Sequence, residues 1–165
     1  MIYILLVTVM LSFAQNLIAT GILVDPSFVK VENVTPGKTV ELIGIQNCFL
    51  KIINRNTKAA RYRISIISCK EYGKPPNPGY IDIPDTEWFT VKSTEIIVPA
   101  NTTECVNGFY IKIPKKRRFF NQRYQAIVKV EKKPGTGEMI NLEVILPLWI
   151  ETERKRFSFL EKLFP

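Results

Sequence analysis

Residues 140 to 150 read INLEVILPLWI, and in them Ile140, Leu142, Val144, Leu146, Leu148 and Ile150 are apolar at every second position. No other feature restricts the fold of this chain so tightly. Successive side chains of a strand point to opposite faces, so a period of two puts all of these residues on one face. A helix would scatter them around its circumference. The same alternation runs through Phe28-Val29-Lys30-Val31-Glu32, Arg61-Tyr62-Arg63-Ile64-Ser65-Ile66, Phe109-Tyr110-Ile111-Lys112-Ile113 and Tyr124-Gln125-Ala126-Ile127-Val128-Lys129-Val130. These stretches are rich in Val, Ile, Tyr and Phe, the residues that suit a half-buried pleated surface. Turn signals separate them: Pro36-Gly37, Asn54-Arg55-Asn56, Pro75-Pro76-Asn77-Pro78-Gly79, Pro99-Ala100-Asn101 and Pro134-Gly135-Thr136-Gly137. The expected strands are 22–33 (broken at Pro26), 38–53 (broken near Gly44), 60–70, 87–98, 104–113, 123–132 and 139–151. About seven short strands at even spacing, with no helical period between them, predict an all-β antiparallel sandwich. Trp88, Ile111, Tyr124, Ile127 and Val144 are expected in one core between its sheets. The proline-rich stretch Gly73–Pro84 reads as a stiff surface loop.

The chain divides into three parts. Residues 1–20 read as a secretory signal or membrane anchor, 21–151 as the sandwich, and 152–165 as a basic amphipathic tail. MIYILLVTVMLSFAQN carries no charged side chain, and Ser12-Phe13-Ala14 before Gln15 is a small-x-small cleavage pattern, so a cleaved signal is expected. The alternative is a retained anchor over residues 2–24, because a bilayer takes roughly 20 residues and the apolar run reaches that only by continuing through Val24. Either reading puts the sandwich outside the cytoplasm, as a periplasmic, secreted or cell-surface protein.

That compartment permits disulfides. Cys48, Cys69 and Cys105 allow one bridge and one free thiol, with a bridge involving Cys48 favoured by its place inside an apolar strand. Three small buried hydrophobes is the competing reading. Their spacing matches no zinc pattern, and no cofactor is expected. Asn33-Val34-Thr35 and Asn101-Thr102-Thr103 fit the N-glycosylation sequon.

The net charge is +8 and there is no histidine. The charge favours anionic partners; the missing histidine removes the usual general base and metal ligand. With no Ser or Cys set beside a base, nothing offers an activated nucleophile, so the chain is expected not to be an enzyme. The cations gather in two places, each mixed with aromatics. Lys115, Lys116, Arg117, Arg118, Phe119 and Phe120 form one patch. Arg154, Lys155 and Arg156 precede Phe157, Phe159, Leu160, Leu163 and Phe164, which share one side of a helical wheel. In an antiparallel sandwich, the loop entering the penultimate strand and the chain leaving the last strand lie at the same end. The two patches are therefore expected to form a joint docking surface for a protein partner or an anionic membrane, with Phe119 and Phe120 exposed. A solvated charge run is the bland alternative for the loop. Nucleic acid is not expected, since the compartment is wrong and the strands carry no nucleic-acid-binding signature.

Gly21-Ile22-Leu23-Val24-Asp25-Pro26-Ser27, Pro36-Gly37-Lys38-Thr39-Val40-Glu41-Leu42, Ile53-Asn54, the strand Arg61–Ile67, Trp88, Ile111-Lys112-Ile113-Pro114 and Arg123–Val130 together carry a familiar pattern. Over residues 21 to 151 the chain resembles the prokaryotic group of secreted immunoglobulin-like sandwiches. That group includes the N-terminal domain of periplasmic pilus chaperones and related cell-envelope domains. The resemblance implies an immunoglobulin-like fold with Tyr124 as a corner tyrosine, hydrogen-bonded back to its loop. It implies a protein partner in the cell envelope and work as an assembly chaperone or accessory subunit. A structural subunit of a surface filament or layer, capable of self-association, is the alternative. It also implies that Ile140, Leu142, Val144, Leu146 and Leu148 form an edge for strand addition; an ordinary core strand is the competing reading. Phe28 stands where such chaperones carry an arginine for the subunit's terminal carboxylate.

Overall fold

The computed structural model describes residues 21–43, 47–134 and 142–155. Among these, twelve strands build an immunoglobulin-like β-sandwich. One layer is a six-stranded sheet. Its path runs β2 (Val29–Val34), β12 (Glu143–Thr152), β11 (Arg123–Lys132), β5 (Ala60–Ser68) and β8 (Glu95–Val98), with the short β6 (Ile81–Asp82) also on β11. Two three-stranded sheets face it across one hydrophobic core. They are β1 (Ile22–Asp25), β4 (Leu50–Asn54) and β9 (Thr102–Val106), and β3 (Thr39–Glu41), β10 (Phe109–Lys112) and β7 (Phe89–Val91).

The period-two reading of the last two strands carries through to burial. β11 and β12 pair antiparallel from Arg123↔Glu151 to Glu131↔Glu143. Leu146, Leu148, Ile150 and Thr152 are buried on one face of β12, with Val144 packed against the same core. Tyr124, Ala126, Val128 and Val130 do the same from β11. Trp88, Ile111 and Tyr124 belong to this core as expected. Ile127 does not. It lies on the other face of β11, buried between its cross-strand neighbours Ile67 and Pro147, because an odd position in this strand points away from the core.

The seven expected segments resolve into more elements, since the chain changes layer inside several of them. The first breaks at Pro26, where a cis peptide follows Asp25, and β1 and β2 enter different layers. The second breaks into β3 and β4. The fifth breaks at Asn107-Gly108, where Gly108 has φ 83°, and the chain passes from β9 in one sheet to β10 in another. Two ends are helical rather than extended. Ser68 caps the helix α1 (Cys69–Tyr72), its hydroxyl accepting the Glu71 N–H (3.0 Å), and Gly73 closes it with φ 81°. Asp85 likewise caps a 3₁₀ turn at Thr86–Trp88. In both, a short polar side chain satisfies an N-terminal donor and stops the strand pattern.

Two further expectations are settled here. Ile22–Val24 pair with Ile52–Asn54 in β1–β4, so an anchor running through Val24 is corrected: those residues have their main-chain partners in a sheet. Among the described residues, no helix is long and apolar enough to cross a membrane. Cys48 is bridged to Cys105, with Cα atoms 5.8 Å apart, and Cys69 is free and buried.

Candidate partner-docking site

The loop between β10 and β11 is shaped by short-range hydrogen bonds. The Lys116 N–H donates to the Pro114 carbonyl (2.8 Å) and the Phe119 N–H to the Lys116 carbonyl (3.0 Å), winding a 3₁₀ turn over Arg117–Phe119. Beyond it the loop is bound to the chain leaving β12. Asn121 donates its N–H to the Glu153 carbonyl (3.2 Å) and its side-chain amide to the Lys155 carbonyl (3.0 Å). The Lys155 N–H donates back to Asn121 Oδ1 (2.9 Å), and the Lys155 ammonium sits over the Phe120 ring at 5.7 Å. Gly37 packs against the stem of Lys115, which brings Lys38 to the same end. Lys38, Lys115, Lys116, Arg118, Arg154 and Lys155 are all exposed there, with Arg117 and Phe120 half-buried. Lys38, Lys115, Lys116, Arg118 and Arg154 form no ion pair among the described residues. Arg156, Phe157, Phe159, Leu160, Leu163 and Phe164 lie outside the described residues.

Phe119 corrects the expected patch. It is 6% exposed and meets Trp88 edge-on at 4.9 Å, with the Arg118 guanidinium over its ring at 4.8 Å. The 3₁₀ turn is the cause: it directs Arg118 outward and Phe119 inward, which a loop read from sequence does not reveal. Phe119 is therefore core and offers nothing to a partner. Tyr124 is buried edge-on to Trp88 at 5.8 Å. Its hydroxyl lies within reach of the Arg118 charge in the same loop. Burial pushes that hydroxyl's pKa up, although the Arg118 charge pulls it down.

The last strand is divided. β2 pairs in parallel with its second half, from Leu148↔Val29 to Thr152↔Val34. Beside Glu143–Pro147 no strand lies opposite β11 among the described residues. At one end the Lys132 N–H donates to the Leu142 carbonyl (2.8 Å) and at the other the Thr152 N–H to the Gln122 carbonyl (2.9 Å). Even positions of β12 thus face β11 with their main-chain groups, and the odd positions Glu143, Ile145 and Pro147 face away. Pro147 is tolerated because its missing N–H falls on that outer side. As a strand-addition edge the expected set is corrected. Leu148 is covered by β2, and Leu146 and Leu148 are buried in this chain's own core. Leu142 and Val144 remain half-buried beside the open half, and Ile140 lies outside the described residues.

A further cluster has no counterpart in the sequence reading. On the outer face of the six-stranded sheet, Trp149 stands between Phe28 (5.0 Å) and Tyr80 (5.6 Å). The indole N–H donates to Gln125 Oε1 (3.2 Å), which also accepts the Asn77 N–H (2.9 Å). The Tyr80 hydroxyl donates to Glu151 (3.2 Å), which pairs with Lys30 (3.3 Å) and Arg123 (3.6 Å). Burial pushes the Glu151 carboxyl up, but the hydrogen bonds from Lys30 and Tyr80 and the Arg123 charge outweigh it and hold the group below its usual value. The proline-rich loop is thus pinned to the sheet. The one signal for this in the sequence is the apolar content of both faces of β12, from Val144 to Ile150.

Among the described residues, no three His, Cys, Asp or Glu side chains are grouped to hold a metal ion. Asn33 and Asn101 of the two sequons are exposed, with left-handed φ of 58° and 55°.

No family model matches the chain, and no curated protein matches it in sequence. Solved structures do match. PapD-like domain 7 of human CEP192 aligns with a TM-score of 0.57 at 14% identity, over 83% of this chain and 88% of that one. The E. coli chaperone DraB aligns at 0.52 and 9% identity, over 84% of this chain and 58% of that one. A structure of Salmonella enterica SafA pilin in complex with the SafB chaperone aligns at 0.53 and 10%, over 83% and 57%. The chain thus spans less than two thirds of those bacterial chains. At such identities the likeness is one of fold, and the fold is a PapD-like immunoglobulin sandwich, similar to the N-terminal domain of the pilus chaperones.

Proposed function

We propose that this chain is a non-enzymatic interaction module that engages a protein partner by strand addition, outside the cytoplasm, as a chaperone or accessory in assembling an envelope or surface structure. The observation that carries this reading is the half of β12 with no second strand partner among the described residues, where Glu143, Ile145 and Pro147 direct main-chain groups away from β11. Unpaired strand edges are templates for another chain's strand. Some of the similar structures are chaperones solved with a pilin or a tip subunit, which favours this class of partner. The Cys48–Cys105 pairing agrees with an oxidising compartment. The free thiol is a poor nucleophile: burial, and then the Asp82 charge, push Cys69 up to about 11.

Native-state hydrogen exchange tests the edge without a partner. The amides of Glu143 and Ile145 should exchange quickly, and those of Val144 and Leu146, held by β11, slowly. Equal protection of Ile145 and Val144 would remove the basis for strand addition. Light scattering after size exclusion separates the two roles. A chaperone stays monomeric as concentration rises, whereas a subunit of a filament or layer self-associates.

A second reading concerns the basic pole, favoured by the hydrogen bonds that join the loop at Asn121 to Glu153 and Lys155. Cations near an anionic lipid surface contribute about 1 kcal/mol each, and Lys115, Lys116, Arg118 and Arg154 gather at this one end. The full chain should bind phosphatidylglycerol vesicles in a salt-sensitive way, and glutamate at those four positions should abolish it. Binding unchanged by the substitutions would leave the loop a solvated charge run.

A further inference from the structure

The open half of β12 ends where β2 begins, and the residue at that junction is unusual. Val29 pairs with Leu148 and is buried toward the core. Phe28 and Lys30 therefore fall on the outer face of the sheet, the face that also carries Ile145, Pro147 and Trp149. Phe28 is 46% exposed. Its ring is not loose: it lies 5.0 Å from Trp149, which Tyr80 backs from the other side and Gln125 holds through the indole N–H. An aromatic ring braced in this way and left half uncovered is a preformed apolar contact.

The sequence of β12 supports this. From Val144 to Ile150 every residue is apolar, the composition of a strand covered on both faces. The core covers one face. On the other, Ile145, Pro147 and Trp149 remain only half-buried. Main-chain groups with no strand partner among the described residues and half-buried apolar side chains thus coincide along one short stretch, and an extended peptide satisfies both at once. The charged pair Lys30–Glu32 on β2 marks where the apolar surface stops.

Building on the strand-addition reading, we infer that Phe28 and Trp149 are the side-chain anchor of that edge. The strand accepted beside Glu143–Pro147 carries a bulky apolar residue on its outer face, at the end that abuts β2. The partner segment is an extended apolar peptide of about five residues, bounded at one end by Phe28.

A phage-displayed library of ten-residue linear peptides, selected on the full chain, tests this. Enriched peptides should share a bulky apolar or aromatic residue near one end of an alternating stretch. Phe28→Ser should weaken the best synthetic peptide about tenfold, in line with the apolar area that Phe28 leaves uncovered. Phe28→Leu should restore most of the affinity. N-methylation at alternate peptide nitrogens should abolish binding to every variant if the contact is strand addition. Peptides that lose binding on N-methylation but are indifferent to Phe28→Ser would keep the edge and overturn the anchor. If no peptide is enriched, or if N-methylation has no effect, strand addition itself fails and takes this inference with it.

Discussion

Truncating Phe119 separates a core residue from a docking residue, because loss of the first costs folding stability and loss of the second costs binding. The ring is 6% exposed and packs edge-on against Trp88 at 4.9 Å. A phenylalanine side chain buries roughly 150–250 Å², and at about 25 cal/mol per Å² most of that is lost on truncation. With the cavity left behind, Phe119→Ala should destabilise the sandwich by about 3–5 kcal/mol. The neighbouring Phe120 is half-buried, so Phe120→Ala should cost roughly half as much. Urea unfolding followed by tryptophan fluorescence measures both, with Trp88 reporting directly on the ring it touches. At a slope of about 2 kcal/mol/M, the midpoint should fall by about 2 M for Phe119→Ala and by about 1 M for Phe120→Ala. If the two variants unfold at the same midpoint, the 3₁₀ turn does not bury Phe119. The loop would then present both rings to a partner.

Replacing both Cys48 and Cys105 with serine should lower stability by about 4 kcal/mol, since the bridge closes a loop with a sequence separation of 57; three free thiols in oxidised protein by mass mapping would contradict it. Cys69 has its folded pKa raised from 9.0 to about 11, first by burial and then by the Asp82 charge. Its folded form keeps the proton longer than the unfolded form, so the stability it contributes is whole below about pH 9 and lost as pH rises to about 11. That fall should be smaller in Cys69→Ala when unfolding is followed across the window, and an identical pH profile would count against it. Gly37 has φ +95° and a Cβ there would lie 2.9 Å from the Lys115 Cβ, whereas Gly73 has φ +81° and open space around it. Gly37→Ala should therefore destabilise by about 1–3 kcal/mol and by more than Gly73→Ala; equal losses in thermal melts would show that the contact with Lys115 carries no weight.

Strand identity was written in the sequence wherever one face is buried and the other solvated, because alternation is a local property of the chain. Arg123–Lys132 shows it well, with observed and expected bounds the same. The all-β class, the break at Pro26 and a bridge using Cys48 were legible for equally local reasons: a fixed φ, a missing donor, an apolar setting. The gathering of the Lys115–Arg118 loop with Arg154 and Lys155 followed from antiparallel geometry alone. What pairing decides was not legible. Whether Leu148 is an open edge or a covered position depends on β2, which comes more than a hundred residues earlier and joins β12 in parallel. The inward turn of Phe119 depends on Trp88, and the burial of Ile127 on the face opposite the core depends on Ile67 and Pro147 beside it. The aromatic row of Phe28, Trp149 and Tyr80 joins three segments with no common local signal. Local sequence sets the period and direction of a side chain. The element that packs beside it is a long-range choice, and on that choice rests which part of this chain remains open to a partner.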